Sequence, residues 1–565
     1  MPTYMYYGFC LPSTCDSRDS EILINTVVDN FGVNTTASAA ETTCKSEQKP
    51  EFSTGHWIIL GILGFLGIFI SVVTVYDVIS RNHRLQSTPE ISHGVDVKLD
   101  TLVTETGNDV CYVNSTDALA ANEAKSKSSV VCKDVILAFS AYDNLLKLVS
   151  LESSGDTISC IHGIKFITMF WIILGHTFYY FFIFAPSENV GEFLSILKTW
   201  SFLIVYAGSL SVETFFFLSG LLLTYISMKK MLDSGGPKNI NWFMFYFHRF
   251  WRLTPLYTAV WMIYVSFSHF FGDGPLYPDY TSLEGPGCSY FSWLYHLAYI
   301  NNFIPSGCMG WTWFLAVDTQ FHVISPICLL AFFWCYKVGI AVAVSFCLAN
   351  IVSVGLLSTQ YSVSSTSFSD FSYLFLIYIK PWSHLSPFML GIMIGYLLYR
   401  TRDKNWNIHW ALVTIGWLIA AAFILTPVFT LFIPSTQLEN STYLSLAATA
   451  WCLGLSWIVF ACHVGYGGPV NWLLSLKIFA PLSRLTYSAY LIHPIVILAV
   501  YKSVKSSIYG NHITLVCYFL AFLVLTYAIS LIATISFESP MIALEKVLCK
   551  DCQCCPCTRK TSCKK

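Results

Sequence analysis

Long apolar runs separated by polar connectors organise the chain, and the run at 161–184 is the one around which the others fall into place. About twenty-four helical residues cover roughly 36 Å at 1.5 Å per residue, enough to cross a hydrocarbon core of ~30 Å. Comparable runs lie at 57–80, 201–226, 250–271, 314–335, 338–357, 382–400, 409–431, 444–464, 480–501 and 513–535. Together they predict about eleven spans. The expected fold class is all-α, a polytopic membrane helical bundle in which one N-terminal transmembrane helix precedes a core of about ten.

Polar stretches set the boundaries. Residues 1–56 precede the first span, and 81–159 is a linker rich in Ser, Thr, Asp and Lys that turns amphipathic only near 135–149. It reads as mostly disordered and cytosolic. A core at 160–545 and a Cys/Lys-rich cytosolic tail at 546–565 follow. Arg81 and Arg84 stop the first span at once. Lys229, Lys230, Lys238, Arg249, Lys337, Arg400, Arg402, Lys404 and Lys477 then fall on the same side, whereas the loops 272–313 and 432–443 hold no Lys or Arg. The positive-inside bias places the N-terminus outside and the C-terminus in the cytosol.

Composition agrees with a membrane solvent. Of 565 residues 55% are hydrophobic and 12% charged, with mean hydropathy +0.58. The net charge of -1 gives no basic surplus, so no nucleic-acid partner is expected. Cys10, Cys15 and Cys44 beside a glycosylation sequon at Asn34 suggest an oxidising, extracellular segment, a cytosolic tail with free thiols being the alternative. A further sequon at Asn440 falls outside, and one at Asn114 falls in the linker, where it stays unmodified. These features favour the plasma membrane over an endomembrane. The opening residues lack the apolar core of a secretory signal, so an outside N-terminus needs either translocation by the first span or an upstream segment missing from this sequence. Cys288 and Cys308 flank an aromatic stretch, 290–303, too short and polar to cross. A disulfide closing an interfacial or re-entrant segment fits, against two free thiols. The tail cysteines, Cys549 to Cys563, suit palmitoylation better than zinc, because Cys554 and Cys555 are adjacent and no histidine joins them. No metal is expected.

Ionisable groups inside apolar runs are functional suspects. His176 lies deep in the 161–184 run, with Gly175 allowing another backbone close, and Lys165 lies about 16 Å nearer the cytosolic end. Its plain alternative is a hydrogen-bonded bridge between helices. Glu213 is the expected partner of His176. Asp318 with Gln320 lies near the outer start of the fifth span, and reads equally as a hydrated helix-end residue. His493, just before Pro494, fits either chemistry or a hydrogen bond to a carbonyl freed by the proline. Arg249 and Arg252, three apart, share a helix face at the cytosolic end of the fourth span and with Lys165 form a cationic cluster suited to phosphate oxygens. Ser219 and Thr177 are conceivable nucleophiles, although small hydroxyl residues commonly pack membrane helices closely.

These motifs, in this order, resemble a known family. The G-I-K-F at 163–166 followed by G-H-T at 175–177, the R-x-x-R of Arg249 and Arg252, V-E-T-F-F-F-L-S-G, W-F-L-A-V-D-T-Q-F and P-L-S-R-L-T-Y-S-A-Y-L-I-H-P are similar to blocks of the acyltransferase 3 family of multi-pass membrane enzymes. In detail they resemble its animal branch, called nose resistant to fluoxetine. The opening G-F-C-L-P-S-T-C resembles the end of that branch's extracellular domain. Departures from the family pattern are Lys165 for Arg, Glu213 for Asp and His384 for Arg.

The resemblance implies an integral membrane acyltransferase that moves an acyl group from cytosolic acyl-CoA, the co-substrate, to a hydroxyl or amine of a lipid or small lipophilic acceptor. His176 is then the general base, with Glu213 orienting it and Lys165, Arg249 and Arg252 holding the donor's phosphates. Asp318 and His493 are further catalytic candidates. The rival reading is a non-enzymatic carrier of lipids or lipophilic compounds using the same bundle.

Overall fold

Residues 51–87, 133–151, 158–196, 199–273, 291–304, 307–363, 371–404, 406–430 and 436–548, with isolated positions at 22, 25, 277, 283 and 288, are described by a computed structural model. Cys10, Cys15, Asn34, Cys44, Asn114 and the tail cysteines lie outside the described residues.

The described chain is helical almost throughout, because each apolar run satisfies its backbone donors and acceptors internally. The main helices are α1 (Thr54–Ser87), α2 (Ala141–Val149), α3 (Cys160–Phe184), α4 (Ser209–Asp233), α5 (Trp242–Phe267), α6 (Trp313–Trp334), α7 (Tyr336–Gln360), α8 (Leu385–Thr401), α9 (Trp410–Thr430), α10 (Gln437–His463), α11 (Thr486–Lys502), α12 (His512–Ala533) and α13 (Ser539–Leu548). A π-helical turn, Thr534–Glu538, joins α12 to α13. Among the described residues 8 helical stretches are long and apolar enough to cross a membrane. The chain is a multi-pass membrane protein. At three of the predicted spans the helices fall outside that set: α5 carries Arg249 and Arg252, and α8 and α11 have 17 residues each. The run expected at 480–501 breaks at Leu485, between Phe479–Arg484 and α11.

Close backbone contact builds the centre. A Cβ on Gly220 of α4 would lie 2.2 Å from the Phe388 carbonyl of α8, and one on Gly391 of α8 would lie 2.1 Å from that of Phe217. Gly395, one turn on, meets Leu221 in the same way, at 2.4 Å. Glycines spaced in this manner let two membrane helices touch along their backbones. Two apolar cores flank the crossing. One gathers Met169 and Ile173 of α3, Tyr257 and Tyr264 of α5, Ile497 of α11 and Phe522 of α12. The other gathers Phe217 of α4, Phe321 of α6, Phe388 of α8 and Val459 of α10.

The stretch before α6 folds back into the bundle. Cys288 and Cys308 are disulfide-bonded. Between them the short helix Ser292–Leu297 sets His296 Nδ1 2.5 Å from the Tyr257 hydroxyl, and Tyr299 meets Thr254 at 3.0 Å. Both partners lie in the middle turns of α5, so the segment packs into the bundle.

The amphipathic linker helix α2 is docked. Asp77 of α1 accepts from Arg81 Nε at 2.9 Å and Ser140 Oγ at 2.8 Å, and Arg81 also reaches Asp143 at 2.6 Å. The Arg484 guanidinium donates to the carbonyls of Lys147, Leu148 and Ser150 at the other end of α2. A cation on the last carbonyls of a helix complements its dipole.

Asn440 is a correction. Its side chain is buried, 7% exposed, and its amide donates to the Val363 carbonyl at 2.5 Å, which leaves no outward nitrogen for a glycan.

Candidate active site

His176 projects from α3 toward α11, where its Nδ1 lies 2.9 Å from His493 Nε2. His493 is fully buried, and its Nδ1 sits 3.0 Å from the Ala489 carbonyl one turn back. A carbonyl only accepts, so His493 Nδ1 carries hydrogen and donates. With both rings neutral, His493 Nε2 presents its lone pair and His176 Nδ1–H donates to it. The chain of donors therefore ends with a lone pair on His176 Nε2, the atom a general base needs. The Tyr180 ring stacks on His176 with centroids 5.3 Å apart and Tyr179 meets it edge-on at 6.3 Å. The dyad thus sets His493 between a backbone carbonyl and the candidate base; that carbonyl is Ala489's and not the Tyr490 carbonyl that Pro494 leaves free.

Glu213 does not meet His176, which corrects the expected pairing. Its Oε1 lies 2.8 Å from Nδ1 of His384, which stands at the head of α8. His384 Nε2 lies 2.6 Å from the Tyr378 carbonyl, and the ring is sandwiched between Phe216 and Trp313, with centroids at 4.8 and 5.2 Å. His384 thus serves as the partner of the buried carboxylate.

The three cations separate into two groups. Arg249 is ion-paired with Asp318, whose other oxygen accepts from Ser219 Oγ at 2.6 Å. Asp318 is buried, 8% exposed, and so is no hydrated helix end. This also removes Arg249 from a free phosphate-binding ring, because its charge is already compensated. Arg252 is exposed, one turn on, and interacts electrostatically with Lys165 of α3 and with Glu538 of the π-helical turn. An exposed guanidinium beside an ammonium fits the phosphates of an acyl donor, even with one acid nearby. Glu538, 4% exposed, escaped the sequence reading because it lies just past the predicted end of the last span. Its signal is an acid embedded in S-F-E-S-P at the end of an apolar run. Thr177 donates to the Ile173 carbonyl at 2.8 Å, the ordinary back-bond of a helical threonine. Among the described residues no cluster of His, Cys, Asp and Glu is arranged to hold a metal.

The acyltransferase 3 family, described as an acyltransferase domain, matches residues 158–535. The chain is 31% identical over 449 residues to "Nose resistant to fluoxetine protein 6" of Caenorhabditis elegans, covering 73% of this chain and 54% of the relative. It spans about half the length of that relative. It is 24% identical over 435 residues to "Regulator of hypoxia-inducible factor 1" of the same organism, covering 69% of this chain and 81% of the relative. A Staphylococcus aureus protein named as a candidate O-acetyltransferase is 23% identical over 262 residues, 42% of each chain. No solved structure matches the chain.

Proposed function

We propose, from the premise that this chain belongs to the acyltransferase 3 family of membrane proteins, that it transfers an acyl group from cytosolic acyl-CoA to a hydroxyl or amine of a lipid or small lipophilic acceptor. The donor, when bound, supplies an acyl group activated as a thioester. His176 Nε2 takes the acceptor's proton as the new bond to the acyl carbon forms and the carbon–sulfur bond breaks, then returns the proton to the departing sulfur. His493 holds His176 in the tautomer that leaves Nε2 free, in the manner of the orienting member of a catalytic triad. Lys165 and Arg252 bind the donor's phosphates about 16 Å along α3 from the base. Arg249 and Asp318 brace the crossing of α5 with α6.

The reading includes α5, α8 and α11 as spans, giving an eleven-helix bundle with the N-terminus outside, the C-terminus cytosolic, and residence in the plasma membrane. The loop charges support that orientation. The Nε2 lone pair left open by the His176–His493–Ala489 chain carries the proposal.

Turnover of labelled acyl-CoA by purified protein tests it. The His176→Ala variant should lose roughly 10²–10⁴-fold in rate, the usual contribution of a positioned general base. Lys165→Ala with Arg252→Ala should raise KM for the donor while leaving the rate at saturation nearly unchanged. Equal turnover by wild type and His176→Ala overturns the enzymatic reading. Absent turnover in both, with lipid transport unaffected, establishes the carrier instead.

A further inference from the structure

A second buried polar pair, Glu213 with His384, shares no hydrogen bond with the His176 dyad. Behind the Glu213–His384 pair is a cavity of about 50 Å³, lined by Ser383, Tyr373, Tyr378 and Tyr443 besides the pair itself. By the measure in which one water needs about 10–15 Å³, it holds a few waters or one small polar head. Glu213 is 6% exposed and its second oxygen, Oε2, is buried without a hydrogen-bond partner, as is Ser383 Oγ. A carboxylate oxygen left bare in a membrane interior is costly unless something donates to it. No Lys or Arg is among the residues that line the cavity.

Proton bookkeeping narrows what the donor is. His384 Nε2 faces a carbonyl and must carry hydrogen. Nδ1 and Glu213 Oε1, 2.8 Å apart, then hold one proton between them, and the pair is neutral overall. A cation arriving at Oε2 would leave the site with a positive charge unless that proton departs. Once it departs, the lone pairs of Nδ1 and Oε1 face one another, and the incoming group must supply hydrogen to both. A primary ammonium group has three N–H donors and one charge, so it satisfies Nδ1 and the carboxylate and restores neutrality. An alkali ion restores charge but donates nothing. The three tyrosine rings in the lining add surroundings that favour an organic cation.

We propose that the Glu213–His384 cavity binds a primary ammonium group, taken up in exchange for the proton that the pair otherwise shares. The other titratable groups interacting with Glu213 are Tyr373 and Tyr378 in the lining and Cys452 of α10, all neutral in the working range, so the pair alone carries the exchange. The ammonium group comes from a free alkylamine or from the head of an amine-bearing lipid.

Methylammonium binding to the purified full chain in detergent, followed by calorimetry with a pH indicator present, is the test. The expected result at about pH 7, where methylammonium stays charged, is release of about one proton per methylammonium bound. Tetramethylammonium and sodium at equal ionic strength should not compete. Glu213→Gln should abolish binding while retaining the fold, since the Gln amide can donate to neutral His384 Nδ1. Ser383→Ala should weaken binding several-fold and leave the pair intact. Competition from nanodiscs containing phosphatidylethanolamine, but not from pure phosphatidylcholine, identifies the lipid source, and its absence identifies the free amine. Binding without proton release, or equal binding of tetramethylammonium or sodium, overturns the proposal.

Discussion

Two imidazole pairs sit in the same bundle and do opposite things with their nitrogens. In the His176–His493 pair three of the four ring nitrogens are committed to the donor chain that ends on the Ala489 carbonyl, and His176 Nε2 is left with its lone pair. In the Glu213–His384 pair both nitrogens of the single ring are engaged, one by a carbonyl and one by a carboxylate. The first arrangement leaves a basic atom open; the second saturates the ring and leaves a bare carboxylate oxygen. The partner, and not the histidine, decides which chemistry a buried imidazole can perform.

The largest effect that would break this contrast concerns the orienting ring. His493→Leu removes the acceptor for His176 Nδ1–H and frees the ring to adopt the other tautomer. The acyl-transfer rate should fall about 10²-fold or more, by analogy with the loss of an orienting group in a triad. His493→Gln, whose carbonyl oxygen can accept from Nδ1–H, should recover part of the rate. Steady-state kinetics should assign the change to kcat and not to KM. Equal activity of the Leu and Gln variants would mean that His493 packs without orienting.

The second effect falls on stability. Glu213→Leu strips the carboxylate from His384 and leaves Nδ1 buried without a partner, which should cost about 3–5 kcal/mol, as is typical when one member of a buried pair is removed. Glu213→Gln should recover most of that loss. Thermal unfolding in detergent at fixed protein concentration distinguishes them.

How much of this was legible beforehand follows the range of the interactions. Apolar runs are local, so eight of the predicted spans found a helix long and apolar enough to cross a membrane, and His176 was conspicuous because a polar ring interrupted one of them. The partners were not legible. His176 and His493 are 317 residues apart and Glu213 and His384 are 171 apart, and nothing in one sequence states which faces of α3, α4, α8 and α11 meet. Glu213 was assigned to His176 because both were buried and polar, whereas the Gly220, Gly391 and Gly395 contacts draw α8 against α4 and bring His384 there first. Those glycines carry the signal that was missed: Gly391 and Gly395, four apart, mark a helix-crossing face. Arg249 likewise read as a free cation because Asp318, 69 residues on, was placed at the other end of the membrane.

A fourth histidine extends the comparison outside the spans. His296, between Cys288 and Cys308, is buried and bonds the Tyr257 hydroxyl through Nδ1. Burial pushes its pKa down to about 4, against a smaller opposing effect of the Cys308 backbone. An unfolded segment, with an ordinary histidine near 6.5, takes up a proton that the folded one refuses. Stability of the segment should therefore be flat above about pH 7 and fall as pH drops from 6.5 toward 4, by at most about 3 kcal/mol. Hydrogen exchange over 291–304 read at pH 7.5 and pH 5 measures it, and His296→Gln should flatten the dependence.

The smallest effect lies at the periphery, where charge is paired in water's reach. Asp143 of α2 is ion-paired with Lys147 and Arg81. Burial alone would raise its carboxyl pKa, but the hydrogen bonds from Lys147 and Arg81 prevail and hold it below the ordinary range. A depressed carboxylate contributes stability above the unfolded pKa and loses it as pH falls through the folded one, the opposite window from a bond that needs protonation. Because these groups are partly solvated, Asp143→Asn should cost only about 1 kcal/mol. The loss should appear as faster exchange or proteolysis of α2, with α3 and the His176 dyad unchanged. Were acyl transfer to fall as well, α2 would have to be coupled to the Lys165–Arg252 cluster through the π-helical turn that carries Glu538, and the central and peripheral charge pairs would form one system instead of two.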